Sequence, residues 1–421
     1  MNDLAKVWNT PTAQCPVGSI GHEYHPFDQA ALFAFFKAAR SREPVFYCPE
    51  IDYWVVSRYD DVLAILQDPQ RFSAANANTP ISPVPEDALN YLKAGGYALE
   101  GVQVNCDGPK HARIRASASQ LLNPRQFATM ESDIRRLVRD AIEPLRGRAR
   151  VDLLADFAYE LPARVIFLLL GISDEEAARV KQWAANRLLL SFTRPTYAQQ
   201  MEAARNLLEY WHFTVGLVQQ RLEDPKDDFP SRLLRLRGND DAILTLNEVN
   251  SVVFGLLFAG HETTTNQMAN ALIGLLEDRR NWEAICADPA LIPNAVEEAL
   301  RFAGAVVNWR RRALCDVEIG GIKIPEGSNI LMSFGSANHD EAKFDDSGRF
   351  DVRRPNSRKH LTFGNGIHIC LGAGLARLEM KIMLEELTRN FPEMRIAADQ
   401  STTYAPAFAF RAPGAVWVDL K

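Results

Sequence analysis

No stretch of this sequence is long and apolar enough to cross a membrane. The longest apolar run, SVVFGLLFAG at 251–260, is about half of the ~20 residues a span needs. The opening residues, MNDLAKVWNTPTAQCPVG, have no apolar core of the kind that marks a signal peptide. Cysteine is sparse. Six occur, at 15, 48, 106, 286, 315 and 370, with no C-x-x-C pair and no zinc-like cluster. Scattered single cysteines fit a reducing compartment, so a soluble, cytoplasmic protein is expected, with no membrane partner. A basic excess is also missing. The net charge is −6, which argues against nucleic acid as a partner, because phosphate binding needs a broadly basic surface. There are no internal repeats and no low-complexity tracts. What is present is ample core material: 47% hydrophobic and 24% charged residues in a chain of 421, the composition of a globular enzyme.

Along the chain, residues 1–25 read as an irregular arm and Ala30 to Arg40 as a helix. EPVFYCPEI and DYWVVSR alternate apolar and polar residues across a turn, which predicts a hairpin. Tyr59 to Leu66 is helical again. Residues 72–106 mix Asn, Pro, Gly, Ser and isolated apolar residues, the signature of a functional lid or binding loop. From Asp107 to about Leu300 the pattern is almost all helical. Thr245 and Glu248 form a T-x-x-E capping box, and the apolar run behind it reaches Leu276, which predicts one long central helix. Residues 313–335 turn strand-like, 336–366 are irregular, a last helix runs from near Cys370 to about Asn390, and a small strand-rich tail follows.

The most informative stretch is FGNGIHICLGAGLARLE, Phe363 to Glu379. Gly364, Gly366 and Gly372 bracket Cys370 and let the backbone turn sharply and approach a flat ligand. Helix formers follow the cysteine, so its sulfur sits near a helix N-terminus, where an anionic thiolate is favoured. A thiolate in an apolar pocket walled by Phe363 and Leu371 suits a haem iron. A lone free cysteine is ordinarily a buried, inert side chain. Here the whole pattern F-G-x-G-x-H-x-C-x-G is intact. On it the sequence resembles the cytochrome P-450 family, and the resemblance runs from the first hairpin to the last strands. It implies a mainly helical prism with a smaller β-rich lobe, a single haem domain over 1–421, and Cys370 as the metal ligand of haem b.

Three further elements take their meaning from that resemblance. AGHETT, Ala259 to Thr264, places a Gly and back-bonding threonines inside an apolar helix, where Gly costs about 1 kcal/mol and Thr bends the helix. The structural alternative is a simple kink. The family's acid–alcohol pair maps onto Glu262 and Thr263, the implied catalytic residues, and Ala259 and Gly260 leave room for a diatomic ligand. EEALR puts Glu298 and Arg301 at i, i+3, by itself an ordinary surface pair. The family buries this pair and completes it with an arginine from the segment before the cysteine loop, Arg353 or else Arg349. The family's propionate partners map onto His111, Arg115, Arg311 and His368. Arg310 and Arg312 match nothing and read as surface or core-edge charges.

The implied reaction inserts one oxygen atom from O2 into a small apolar substrate, by hydroxylation or O-dealkylation. Leu256, Ala259, Val306, Val307 and the turn Phe408-Ala409-Phe410 are the implied walls. Residues 72–106 hold one basic residue, Lys93, which favours a neutral aromatic or aliphatic compound. EPVFYCPEIDYWVVSRYDDV, CADPALIPNAVEEALR, SANHDEAKFD and RRPNSRKHLTFG look most like haem domains of the bacterial self-sufficient group, in which a flavin and iron–sulfur reductase is fused behind. Here the chain stops at Lys421. The expectation is therefore electrons from NAD(P)H through separate flavin and iron–sulfur proteins, or a domain excised from a fusion. Lys110, Arg113, Arg358, Lys359 and Arg377 suggest a basic face for a ferredoxin-like or flavin reductase partner. A peroxygenase driven by H2O2 would need no proton relay, which the Glu262–Thr263 pair speaks against. A haem sensor is disfavoured because thiolate ligation suits activation better than carriage.

Overall fold

A computed structural model describes residues 19–421, so Cys15 and most of the N-terminal arm lie outside the described residues. The expected hairpin is β1 (Val45–Cys48) against β2 (Tyr53–Val56), with Val45 opposite Val56. The other strands are β3 (Phe72–Ser73), β4 (Arg150–Asp152), β5 (Asn308–Ala313), β6 (Val317–Ile319), β7 (Ile322–Ile324), β8 (Asn329–Ser333), β9 (Arg395–Ile396) and β10 (Trp417–Asp419). They form a five-stranded sheet in the order β1-β2-β8-β5-β3, a three-stranded sheet β4-β10-β9 and the hairpin β6-β7. Period-two alternation divides the large sheet. Val56, Ile330 and Met332 face one apolar cluster, and Val55 and Leu331 face another. The largest cluster joins the helices, among them Ile114, Leu137, Phe157, Val253, Leu272 and Leu384. The mainly helical body with a smaller β-rich lobe is as expected.

Four sequence expectations need correction. The segment 72–106 is not all loop; it contains a helix over Glu86–Ala94. The long helix opens on its capping box, with both Thr245 and Glu248 bonds made, but it is interrupted. One helix ends at Ala259, Gly260 and His261 form a turn, and a second runs Glu262–Glu277. The Thr263 hydroxyl donates to the Ala259 carbonyl at 2.8 Å, the back-bond that bends helices. Gly260 is favoured by packing: a Cβ there would lie 2.2 Å from Ile166 Cδ1 and force that side chain to move.

The third correction concerns the buried ion network. Glu298 and Arg301 are both fully buried and pair through two bonds of 2.8 Å. Their partner is Arg354, whose Nε lies 3.0 and 3.1 Å from the two Glu298 oxygens. Arg353 points outward and Arg349 contributes only its carbonyl. Val352 and Arg354 are buried and Arg353 is exposed, so the choice is set by the turn that the Arg354 amide closes on the Asp351 carbonyl. The fourth concerns Arg310, which is 1% exposed. It donates to the Ala77 and Thr79 carbonyls and lies over the Phe192 and Phe408 rings. The 77–79 segment and these rings cover the face of β5 on which it lies. Arg312 is at the core edge and gives Nε to Gly327 O.

Candidate active site

The Cys370 loop is shaped by its neighbours. Gly364 and Gly366 both have φ of 70°, and a Cβ on Gly366 would lie 2.3 Å from the Leu66 carbonyl oxygen. The Cys370 amide donates back to Phe363 O at 2.9 Å, closing the turn. The Ala373–Asn390 helix starts three residues later, with Gly372 at its N-cap. Cys370 has open surface, but that surface faces an internal cavity. Burial pushes its thiol up, opposed by the Gly372 and Ala373 amides and by the charges of Arg115 and Arg377.

The cavity offers about 280 Å³ of room for water centres and is walled mainly by apolar groups. Cys370, Phe363, Leu371 and Gly372 line it, as do Ala259, Gly260 and Thr263 from the interrupted helix. Of the expected substrate walls, Leu256, Ala259, Val306 and Phe410 line it; Val307, Phe408 and Ala409 do not. Those three serve the core instead. Val307 and Ala409 pair through their backbones, and Asn308 binds the Phe408 carbonyl. Glu262 is likewise absent from the lining. Its carboxylate stands 3.4 Å from His261 Nδ1.

The four expected propionate partners gather at one place. The His111 and His368 rings lie 4.2 Å apart. His368 Nδ1 bonds Gln103 O, Arg115 donates to Ile369 O at 2.6 Å, and Arg311 Nη1 donates to Arg310 O. Burial lowers His111 to about 4, with the His368 and Arg115 charges adding to it. Burial also brings Arg311 down to about 10 and lowers Arg115. The Nε2 atoms of both histidines are buried without a hydrogen-bond partner. Cationic groups gathered around buried, unmet donors, with Asp107 the carboxylate beside them, fit a ligand that brings its own negative charges. Carboxylates of a haem are such charges, and a cysteine sulfur such as that of Cys370, in the same cavity, is suited to haem iron. The residues present fit the group.

The expected basic face is largely neutralised. Lys110 pairs with Glu100 and Arg113 with Glu248. Arg377 grips Glu297 and covers the Phe363 ring. Arg358 stays 76% exposed with only a 3.9 Å approach to Glu297, and Lys359 is exposed. Sequence reasoning missed Trp309, Gln267 and Arg187 in the lining. Gln267 holds the distal helix to the 303–305 turn, accepting from Ala305 N and donating to Ala303 O. Trp309 directly precedes Arg310 in the sequence; Arg187 carried no local signal.

A cysteine on a glycine-bracketed loop, sharing a cavity with an interrupted helix and a cation cluster, defines a haem-thiolate protein. Residues 284–403 match the family model "Cytochrome P450". The chain is 35% identical to a putative cytochrome P450, YjiB, of Bacillus subtilis (strain 168), over 88% of each chain. Its structure is similar to cytochrome P450 CREJ in complex with (4-ethylphenyl) dihydrogen phosphate, with TM-score 0.92, 37% identity and coverage of 95% of this chain and 100% of that one. It is also similar to an intact type IV self-sufficient cytochrome P450 monooxygenase, with TM-score 0.93 and 38% identity over 96% of this chain and 54% of that one. The chain belongs to the cytochrome P450 family of haem-iron monooxygenases. Among the described residues no helix is long and apolar enough to cross a membrane.

Proposed function

We propose that this protein inserts one oxygen atom from O2 into a small apolar, aromatic substrate, by hydroxylation or O-dealkylation. Electrons come from NAD(P)H through separate redox proteins. The observation that carries the reading is that Cys370 and Thr263 line one apolar cavity. The aryl ester bound to the related CREJ supports an aromatic compound. Haem b, when bound, supplies the iron at which O2 is activated by two electrons.

The chain's own residues do the rest. Cys370 supplies the thiolate, and His111, Arg115, Arg311 and His368 hold the carboxylates of the group. Leu256, Ala259, Val306, Trp309 and Phe410 exclude water and orient the substrate. Thr263 holds a proton on Oγ1, now given to Ala259 O, and a hydroxyl can donate on one side while accepting from a water on the other. Glu262 supplies protons to that water from outside the cavity.

The test uses haem-loaded protein, reduced and bound to CO. Wild type shows the red-shifted Soret band of thiolate ligation, and Cys370→His loses it. A Cys370→Ser variant that keeps the band overturns the ligand assignment. Substrate-dependent NADPH oxidation that yields no oxygenated product overturns the monooxygenase reading.

A further inference from the structure

Arg187 belongs to the Asp174–Phe192 helix and lines the cavity. Its Nη1 is buried and has no hydrogen-bond partner. Its guanidinium lies over two rings of the Leu246–Ala259 helix, 5.3 Å from the centroids of both Phe254 and Phe258. Burial pushes the Tyr97 and Tyr210 phenols up, and the Arg187 charge opposes both shifts. It is thus a cation among aromatic groups. It is on a different helix from His111 and Arg115, which belong to the Gly108–Leu121 helix.

The acidic groups of the lining do not answer this cation. Glu100 is held by Lys110 and Asn247 at 2.7 and 2.8 Å. Glu379 is on the Ala373–Asn390 helix behind Cys370, and burial pushes its carboxyl well up. A part-buried guanidinium with a buried, unmet donor is costly unless something pairs with that donor. The ring faces orient it but leave its in-plane N–H groups available, and those form a fork suited to an oxyanion.

We infer that Arg187 is a specificity-determining residue that binds an oxyanion head, a carboxylate or phosphate monoester, on an otherwise apolar substrate. The inference rests on the monooxygenase reading of the same cavity and deepens it. It also departs from the neutral substrate that the single lysine of residues 72–106 suggests, because the cation comes from a helix outside that segment. Phe254 and Phe258 lie on the last turns of the helix that ends at Ala259, whose carbonyl accepts from the Thr263 hydroxyl. An anion held beside them leaves the rest of the molecule in the apolar cavity that Thr263 also lines.

The experiment measures binding to haem-loaded protein by calorimetry and by the spin-state shift of the haem band. Matched pairs serve as probes: 4-propylbenzoate against 4-propylbenzamide, and 4-propylphenyl phosphate against 4-propylphenol. Wild type is expected to bind one or both anions about 10- to 100-fold tighter than the neutral partner, the range for a charge-assisted hydrogen bond; which anion gains identifies the head. Arg187→Gln should remove the preference while binding the neutral probes within about threefold of wild type. Arg187→Lys should restore part of it. An unchanged CO-complex band shows that the variants are folded. Equal binding of both partners by wild type, or an Arg187→Gln variant that weakens both alike, overturns the inference. Charge discrimination without reductant-dependent oxidation upholds the anion site and removes the monooxygenase reading; oxidation without discrimination does the reverse.

Discussion

Replacing Arg354 by Met should destabilise this protein far more than the same change at Arg353, one residue away. Arg354 donates to both oxygens of Glu298 and to the carbonyls of Asp345, Asp346 and Arg349. Glu298 is fully buried. Met fills much of the space but donates nothing, leaving the carboxylate with Arg301 and the Asp351 amide. Breaking a buried charge network by removing one partner costs about 3–5 kcal/mol, against a total stability of about 5–15 kcal/mol. For 421 residues at about 2.1 cal/mol/K per residue, the unfolding entropy near the midpoint is about 0.9 kcal/mol/K. The expected loss in Tm is therefore about 3–6 °C. Arg353→Met, at an exposed side chain, should stay within about 0.5 kcal/mol, less than 1 °C. Differential scanning calorimetry of the two variants and wild type, at matched haem occupancy, makes the measurement. Equal midpoints for Arg354→Met and Arg353→Met would show that the network does not stabilise the segment ahead of the cysteine loop.

Three further outcomes are expected. Arg311→Ala and Arg115→Ala should retain haem about 10- to 100-fold less well, since a hydrogen bond to a charged group contributes about 1.5–3 kcal/mol; haem transfer to apomyoglobin measures this, and wild-type retention in both counts against propionate binding. Thr263→Ala should still bind substrate and consume NADPH, but its product yield per NADPH should collapse into hydrogen peroxide, with Thr263→Ser keeping much of the coupling. Wild-type coupling in Thr263→Ala would mean that another group or a water chain brings the protons. Reduction by an external ferredoxin should slow with ionic strength, as the Debye length falls from ~10 Å at 0.1 M to ~3 Å at 1 M, and should slow with Arg358→Glu; rates indifferent to both sink the basic docking face.

Much of the site was legible because its residues are contiguous. Within ten positions the Cys370 loop must turn twice, leave space beside the sulfur and start a helix, so its glycines and cysteine appear in a fixed order. The Glu298–Arg301 pair was equally plain as a helical spacing. Its third member was not, because the segment around Val352 has no helical period to say which arginine turns inward. Arg310 and Arg311 are neighbours on one strand, and period two allows only one of them toward a given face. Both are buried because each face of β5 is covered, by the 77–79 segment and two Phe rings over Arg310 and by the cavity walls around Arg311, which is a fact of tertiary packing rather than of local sequence. The cationic face was legible only in part for a similar reason: Glu100, Glu248 and Glu297, which pair with Lys110, Arg113 and Arg377 and leave Arg358 and Lys359 exposed, are remote in sequence from most of their partners.

The interrupted helix constrains what the Glu262–Thr263 pair can do. Consecutive residues on a helix project about 100° apart. Thr263 faces the cavity, so Glu262 cannot face it squarely, and indeed it does not line the cavity. Its side chain is 15% exposed and lies beside His261, whose side chain is 3% exposed. The two residues therefore divide the work by position. In the proposed reaction Thr263 acts at the cavity, and Glu262 stands off it on the side from which a proton comes. An arrangement with both groups in the cavity would bring a second polar group against the substrate and weaken its apolar seal. The turn at Gly260 and His261 sets the orientation of the second helix. The bend is thus part of how one hydroxyl is turned toward the substrate while the neighbouring carboxylate is kept off it.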